Sequence, residues 1–156
     1  MPQRDAELVV DFLNTVDLEA GTDLLDDPGA FAAWCAAHGT VPGDLGFARE
    51  VRDVLRRAVT RPVAGDLSMP VVALHATVGP DGVDVAGLDA AGAVLACAGR
   101  LTARGEWSRV KLCPGDDCGE AFYDRSRNHS RVWCDMAVCG NVAKVRTSRR
   151  RHAAGA

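Results

Sequence analysis

Cys113, Cys118, Cys134 and Cys139 form two C-x4-C pairs separated by fifteen residues. Two short pairs at matched spacing let one ion gather four thiolates, whereas a chain of the reducing cytoplasm does not rely on disulfides. Zinc takes four sulfurs in a tetrahedral shell, and a shell filled by protein leaves no position for water, which is the arrangement of a structural site. Iron–sulfur ligation uses the same residue type, but the two-pair geometry in basic surroundings favours a single Zn²⁺. Pro114-Gly115, Gly119 and Gly140 supply the tight backbone that two metal-binding knuckles require. Cys35 and Cys97 stand alone in Ala-rich segments and read as small buried apolar residues.

The second group of residues with chemistry to offer is basic. Residues 1–99 carry six arginines, no lysine and fifteen carboxylates, a net charge of −9, while residues 100–156 carry twelve cations and six carboxylates, a net charge of +6. A basic end on an acidic body suits contact with a polyanion; attraction between the two halves and simple solvation of the end are the competing readings. Lys144, Arg146, Arg149, Arg150 and Arg151 follow the last cysteine. As a helix over 140–151 they can lie on phosphates or enter a major groove, with Lys144, Thr147, Ser148 and Arg151 near one face and Arg146, Arg149 and Arg150 around the other. Arg125, Arg127 and Arg131 lie between the cysteine pairs and can add phosphate contacts. Arg127 and Arg131 are expected to serve the fold more than the ligand, pairing with Asp116, Asp117, Asp124 or Asp135. Trp107 and Trp133 are expected to pack under the zinc knuckle, and with aromatics at only 5% of the chain, base stacking on single strands has little support.

A third group lies in the acidic body. Asp11 and Asn14 interrupt an apolar run, and Asp17, His38 and His75 are the nearby polar candidates. Buried polar groups need partners, so helix capping is the simpler expectation; a small-molecule pocket, as a sensor or a catalytic site, is the alternative. The sequence has no Gly-rich phosphate loop, H-E-x-x-H or G-x-S-x-G, and a closed four-Cys zinc does not activate water. A non-enzymatic role is therefore favoured.

These residues must be positioned by an ordinary globular chain. Its 156 residues are 47% hydrophobic and 25% charged, which excludes whole-chain disorder, collagen and coiled coil. A stretch of about 20 apolar residues for a membrane span is missing, and the start MPQRDAELVV lacks a signal-peptide pattern, so a cytoplasmic protein is expected. Glu7–Asp17 reads as a short helix or strand. Asp27 as cap and Pro28 at the first helical position open a helix to about His38, which Gly39 stops. Leu45, Ala48, Val51, Leu55 and Val59 form one apolar stripe of a helix over 42–61 ended by Pro62, with Arg49, Arg52 and Arg56 off the stripe and expected in solvent. Residues 71–78 and 83–85 read as a hairpin about Gly79-Pro80-Asp81-Gly82, residues 86–104 as a helix, and 107–112 as a strand running into Cys113. The expected fold is α+β: a mainly helical body with a small β-hairpin over 1–105, then a treble-clef-like four-Cys finger with a basic helix over 106–156.

The stretch from Cys113 to Arg151 resembles the CGNR-type zinc finger of bacteria. The resemblance is carried by Cys113, Cys118-Gly119, Phe122, Asp124, Ser126-Arg127-Asn128, Arg131, Trp133-Cys134 and Cys139-Gly140-Asn141, about a quarter of the chain. The segment VVDFLNTVD (9–17) is similar to the opening of the ABATE domain that usually precedes this finger. The resemblance implies a stress-induced transcriptional regulator with one zinc on the four cysteines and double-stranded DNA as partner. A small-molecule effector and a homodimer are compatible with that role. The sequence departs from the family at Val142, where the namesake motif has Arg.

Overall fold

Short-range signals set most of the helix boundaries. The Asp27 side chain accepts hydrogen bonds from the backbone N–H groups of Gly29 and Ala30, and Pro28 occupies the first position of the helix that follows. Asp89 does the same for a later helix through Gly92 N–H. The computed structural model describes residues 2–60 and 71–154. In order these form α1 (Pro2–Leu13), β1 (Val16–Asp17), β2 (Thr22–Asp23), α2 (Pro28–Ala37), α3 (Leu45–Thr60), β3 (Leu74–Gly79), β4 (Gly82–Gly87), α4 (Ala90–Ala103), β5 (Val110–Leu112), β6 (Ala121–Tyr123) and α5 (Asn141–Ala154). Single 3-10 turns lie at Leu24–Asp26 and Trp107–Arg109, and a π-turn at Met136–Gly140 leads into α5.

The architecture is α+β, with helices around one core and three separate two-stranded antiparallel sheets, β1–β2, β3–β4 and β5–β6. Of Glu7–Asp17, residues 7–13 form the second half of α1, where Ala6, Val9 and Leu13 recur at helical spacing and are buried with Phe12, while Asn14 and Thr15 turn and Val16–Asp17 is β1. α1 lies against α3 and α4 and also against β6. The central core joins Val9, Phe12 and Leu13 to Phe31, Val51, Val94 and Leu101, and it includes Val110 of β5 and Ala121 of β6. Residues on both sides of position 105 therefore share one apolar interior. Cys35 and Cys97 are buried in it as small residues, and burial first of all pushes the Cys97 thiol up to about 11.

Several expectations change. α4 starts at Ala90 rather than Ala86, and Leu88 is exposed ahead of its cap. The hairpin begins at Leu74, and its strands stand mostly in solvent, held by β4 against α4. Residues 107–109 turn as 3-10 helix before the strand starts. The expected end of α3 at Arg61 and Pro62 lies outside the described residues. The largest correction concerns α3. Arg52 is buried at 3% exposure, with its guanidinium on both oxygens of Asp23 at 2.6 and 2.8 Å. Arg56 donates to Leu13 O at 2.8 Å and Gly119 O at 2.7 Å. The apolar stripe identifies one face of α3; β2 and the finger cover a second face, and the arginines satisfy the carboxylates and carbonyls exposed there.

Candidate metal centre and nucleic-acid interface

The first knuckle hangs from the β5–β6 hairpin. Cys113 N–H donates to Glu120 O at 2.8 Å, closing the hairpin at the base of the loop, and Cys118 N–H donates to Gly115 O at 3.1 Å inside it. A Cβ on Gly115 would lie 3.0 Å from Cys118 Cβ and under 4 Å from the sulfurs of Cys113 and Cys139, so a side chain there would enter the metal shell. Gly119 has φ +61°, and a Cβ on it would meet Leu18 Cδ1 at 2.5 Å. The second knuckle is built by the π-turn. Asp135 accepts from Ala137 N–H at 2.6 Å and Val138 N–H at 3.2 Å, which turns Cys139 back toward Cys134. Arg131 donates to the carbonyls of Trp133 and Cys134 and lays its guanidinium over the Phe122 ring, 4.9 Å from the centroid.

The four sulfurs all lie within 4.8 Å of one another. Cys134 Sγ is 3.6 Å from both Cys118 Sγ and Cys139 Sγ. A tetrahedron with Zn–S bonds of about 2.3 Å has edges of ~3.8 Å, so the spacing fits one zinc ion. Burial works against the Cys113 thiolate, but backbone N–H groups at Cys134 and Gly115 outweigh it and hold its pKa below the ordinary thiol value. Burial and the neighbouring sulfurs push Cys134 far up. Four thiolates this close ionise together only around a cation. The four cysteines thus form a structural site for one Zn²⁺ with a closed shell.

Asp124, fully buried, organises the loop between the pairs. It accepts from Lys111 Nζ at 2.6 Å, Ser126 N–H at 2.8 Å and Arg131 N–H at 3.0 Å. Lys111 Nζ also donates to the carbonyls of His129 and Arg131 at 2.6 and 2.9 Å. Burial opposes the charge of Asp124, but these donors hold its carboxyl well below the usual carboxylate range. Lys111 and Arg109, whose guanidinium donates to Asp124 O and Ser126 O, were not legible as site residues. Their only signal is a cation on either side of Val110, four and two positions before the first ligand.

The basic residues divide. The Arg131 guanidinium is held by the Trp133 and Cys134 carbonyls and the Phe122 ring instead of a carboxylate, and it is its backbone N–H that meets Asp124. Arg127 is exposed instead of joined to a carboxylate, and Arg125 reaches Glu7 at 3.5 Å. Lys144, Arg146, Arg149, Arg150 and Arg151 are all exposed on α5, which contains no acid. Arg146 pairs with Asp116 of the first knuckle. Among the described residues the other four make no ion pair. Val142 lines a groove of about 310 Å³ between that knuckle and α5. Trp133 is half-buried against Gly140, apart from the main core, while Trp107 packs at that core's edge.

The polar candidates of the body do not converge on one pocket. His38 Nε2 and Asp11 Oδ2 lie 3.1 Å apart at the mouth of a cleft shared with Asp5, Cys97, Arg100 and Arg104. Asn14 instead clamps the finger: its Nδ2 donates to Ala121 O at 2.9 Å and its Oδ1 accepts from Ala121 N–H at 2.7 Å. Asp17 accepts from Ala20 N–H in the β1–β2 turn, and His75 is exposed on β3. Backbone groups claim Asn14 and Asp17, whereas Asp11 meets the His38 side chain and His75 stands in solvent. Asp5, missed in the sequence, accepts from Arg100 and Arg104 at 2.8 and 2.9 Å.

Residues 109–152 match the family model of the CGNR zinc finger. No curated protein matches the chain. No helix among the described residues is long and apolar enough to cross a membrane.

Proposed function

We propose that this CGNR-type zinc finger is a double-stranded DNA-binding element and that the chain acts as a transcriptional regulator, with α5 on the DNA and zinc as a structural staple. The observation that carries the reading is α5 itself. Four cations that make no ion pair among the described residues, Lys144, Arg149, Arg150 and Arg151, and no carboxylate stand exposed on one helix whose first residue follows directly on the zinc-binding π-turn. Its two large apolar side chains, Val142 and Val145, stand about half exposed, so the helix does not form for the sake of the core. A rigid knuckle that presents such a helix suits a major groove about 12 Å wide, where arginine reads guanine edges and lysine neutralises phosphate. The −9 charge of residues 1–99 directs a polyanion to this end and away from the body.

A ligand pocket in the acidic body draws less support. Asn14 and Asp17 are engaged by backbone groups, leaving Asp11 and His38 as the one pair of those candidates that meets.

The test is a salt-titrated binding assay on zinc-loaded protein, with duplex DNA from upstream of its own gene and a scrambled control. Sequence-dependent binding with a log–log salt slope of about −0.9 per phosphate contacted is expected. No binding at low salt, with zinc confirmed in the protein, would overturn the reading and leave the finger a structural staple alone.

A further inference from the structure

The cations of α5 face two different surroundings. Residues four apart share a helix face, so Arg146 and Arg150 lie together, and Lys144, Ser148 and Arg151 lie together on another side. The first side faces the groove against the first knuckle. There Arg146 is paired with Asp116, and Asp117 and the body's Glu19 line the same groove. A phosphate entering it meets three carboxylates and must displace one. The second side is bounded by Trp133, Gly140 and Ala143, with no acidic residue along it among the described residues. Lys144 and Arg151 are exposed there, seven residues or ~10 Å apart along the axis. The Thr147 hydroxyl on this side is engaged by Ala143 O at 2.9 Å. The neighbouring Ser148 hydroxyl has no hydrogen-bond partner among the described residues and is available as a donor.

We propose that nucleic acid is taken on the Lys144–Ser148–Arg151 face of α5, and that Asp116 acts as an internal substitute for phosphate that keeps Arg146 out of the contact. The inference rests on α5 being the DNA-binding helix and adds which face binds and what restrains the other. An exposed ion pair adds little to stability, so its consequence lies in competition for the ligand.

The experiment uses the full zinc-loaded chain and a random-sequence duplex over a salt series, with zinc content measured for each variant. Lys144→Gln and Arg151→Gln are each expected to weaken binding several-fold and to reduce the slope by about 0.9. Arg146→Gln is expected to leave the slope unchanged. Asp116→Asn, by releasing Arg146, is expected to tighten binding several-fold and steepen the slope by about 0.9. A loss from Arg146→Gln equal to that from Arg151→Gln, or an Asp116→Asn variant that keeps zinc and binds no tighter, would overturn the face assignment while leaving DNA binding intact. Absence of wild-type binding at low salt would overturn both readings at once.

Discussion

Arg52 and Asp23 form the pair on which the body's polar interior turns. Removing one partner of a buried pair leaves the other charge uncompensated, so Arg52→Ala is expected to cost about 3–5 kcal/mol in urea unfolding. Arg57→Ala, exposed on the same helix, should stay within about 0.5 kcal/mol. The pair also sets an acid limit. Burial opposes the charges of Asp5 and Asp23, but their arginine partners outweigh it and hold both pKa values below the ordinary carboxylate value. The stability they contribute is complete above the unfolded value of about 3.9 and is lost as pH falls from there toward the depressed folded values. Urea midpoints between pH 2 and 6 should show this fall, and Asp23→Asn should flatten part of it. At the metal, Cys113→Ser should abolish tight zinc binding, read by metal content after dialysis; retained stoichiometric zinc would remove Cys113 from the ligand set. The cysteines were legible because ligand spacing is local. Arg52, Arg56 and Lys111 were not, because periodicity tells which way a residue points and not what another segment brings to meet it.

At the scale of elements, α4 and the β3–β4 hairpin meet at a contact with no room for a side chain. A Cβ on Gly87 would fall 1.9 Å from backbone atoms of Gly92 and Ala93. Gly87→Ala should therefore separate strand from helix and cost about 3 kcal/mol. Gly99, on the open side of the same helix, gives the opposite sign, because a Cβ there would meet no neighbouring group within 4 Å: Gly99→Ala should gain about 0.5–1 kcal/mol. Thermal unfolding of the two variants checks both. Helix starts at Asp27-Pro28 and the turn at Pro80-Asp81 could be read from sequence because caps and turns are chosen by a few adjacent residues. The two-residue strands β1 and β2 and the π-turn could not. They exist to present Asp23 to Arg52 and Cys139 to Cys134, and no periodic pattern extends over so few residues.

Across the whole molecule, the finger is part of the body's interior as well as an appended module. Val110 and Ala121 lie in the main core, and Asn14 and Arg56 bind the backbone of Ala121 and Gly119. Zinc binding energy is folding energy for the finger, so chelation is expected to lower the midpoint of the entire chain. A loss of about 3 kcal/mol corresponds to a fall of about 6–12 °C for a domain of this size. Calorimetry with and without chelator should show one shifted transition; an unchanged body transition would mean that the two parts fold independently.

The Asn14 clamp joins residues 107 positions apart. Made on a ribosome at roughly 5–20 residues per second, the first helix waits about 5–20 s for the strand that completes it. During that interval the apolar side of α1 has α3 and α4 to pack against and lacks the covering that β6 adds. The last third of the chain completes the covering of the first helix, so limiting zinc during synthesis is expected to lower the yield of folded protein as well as its later stability.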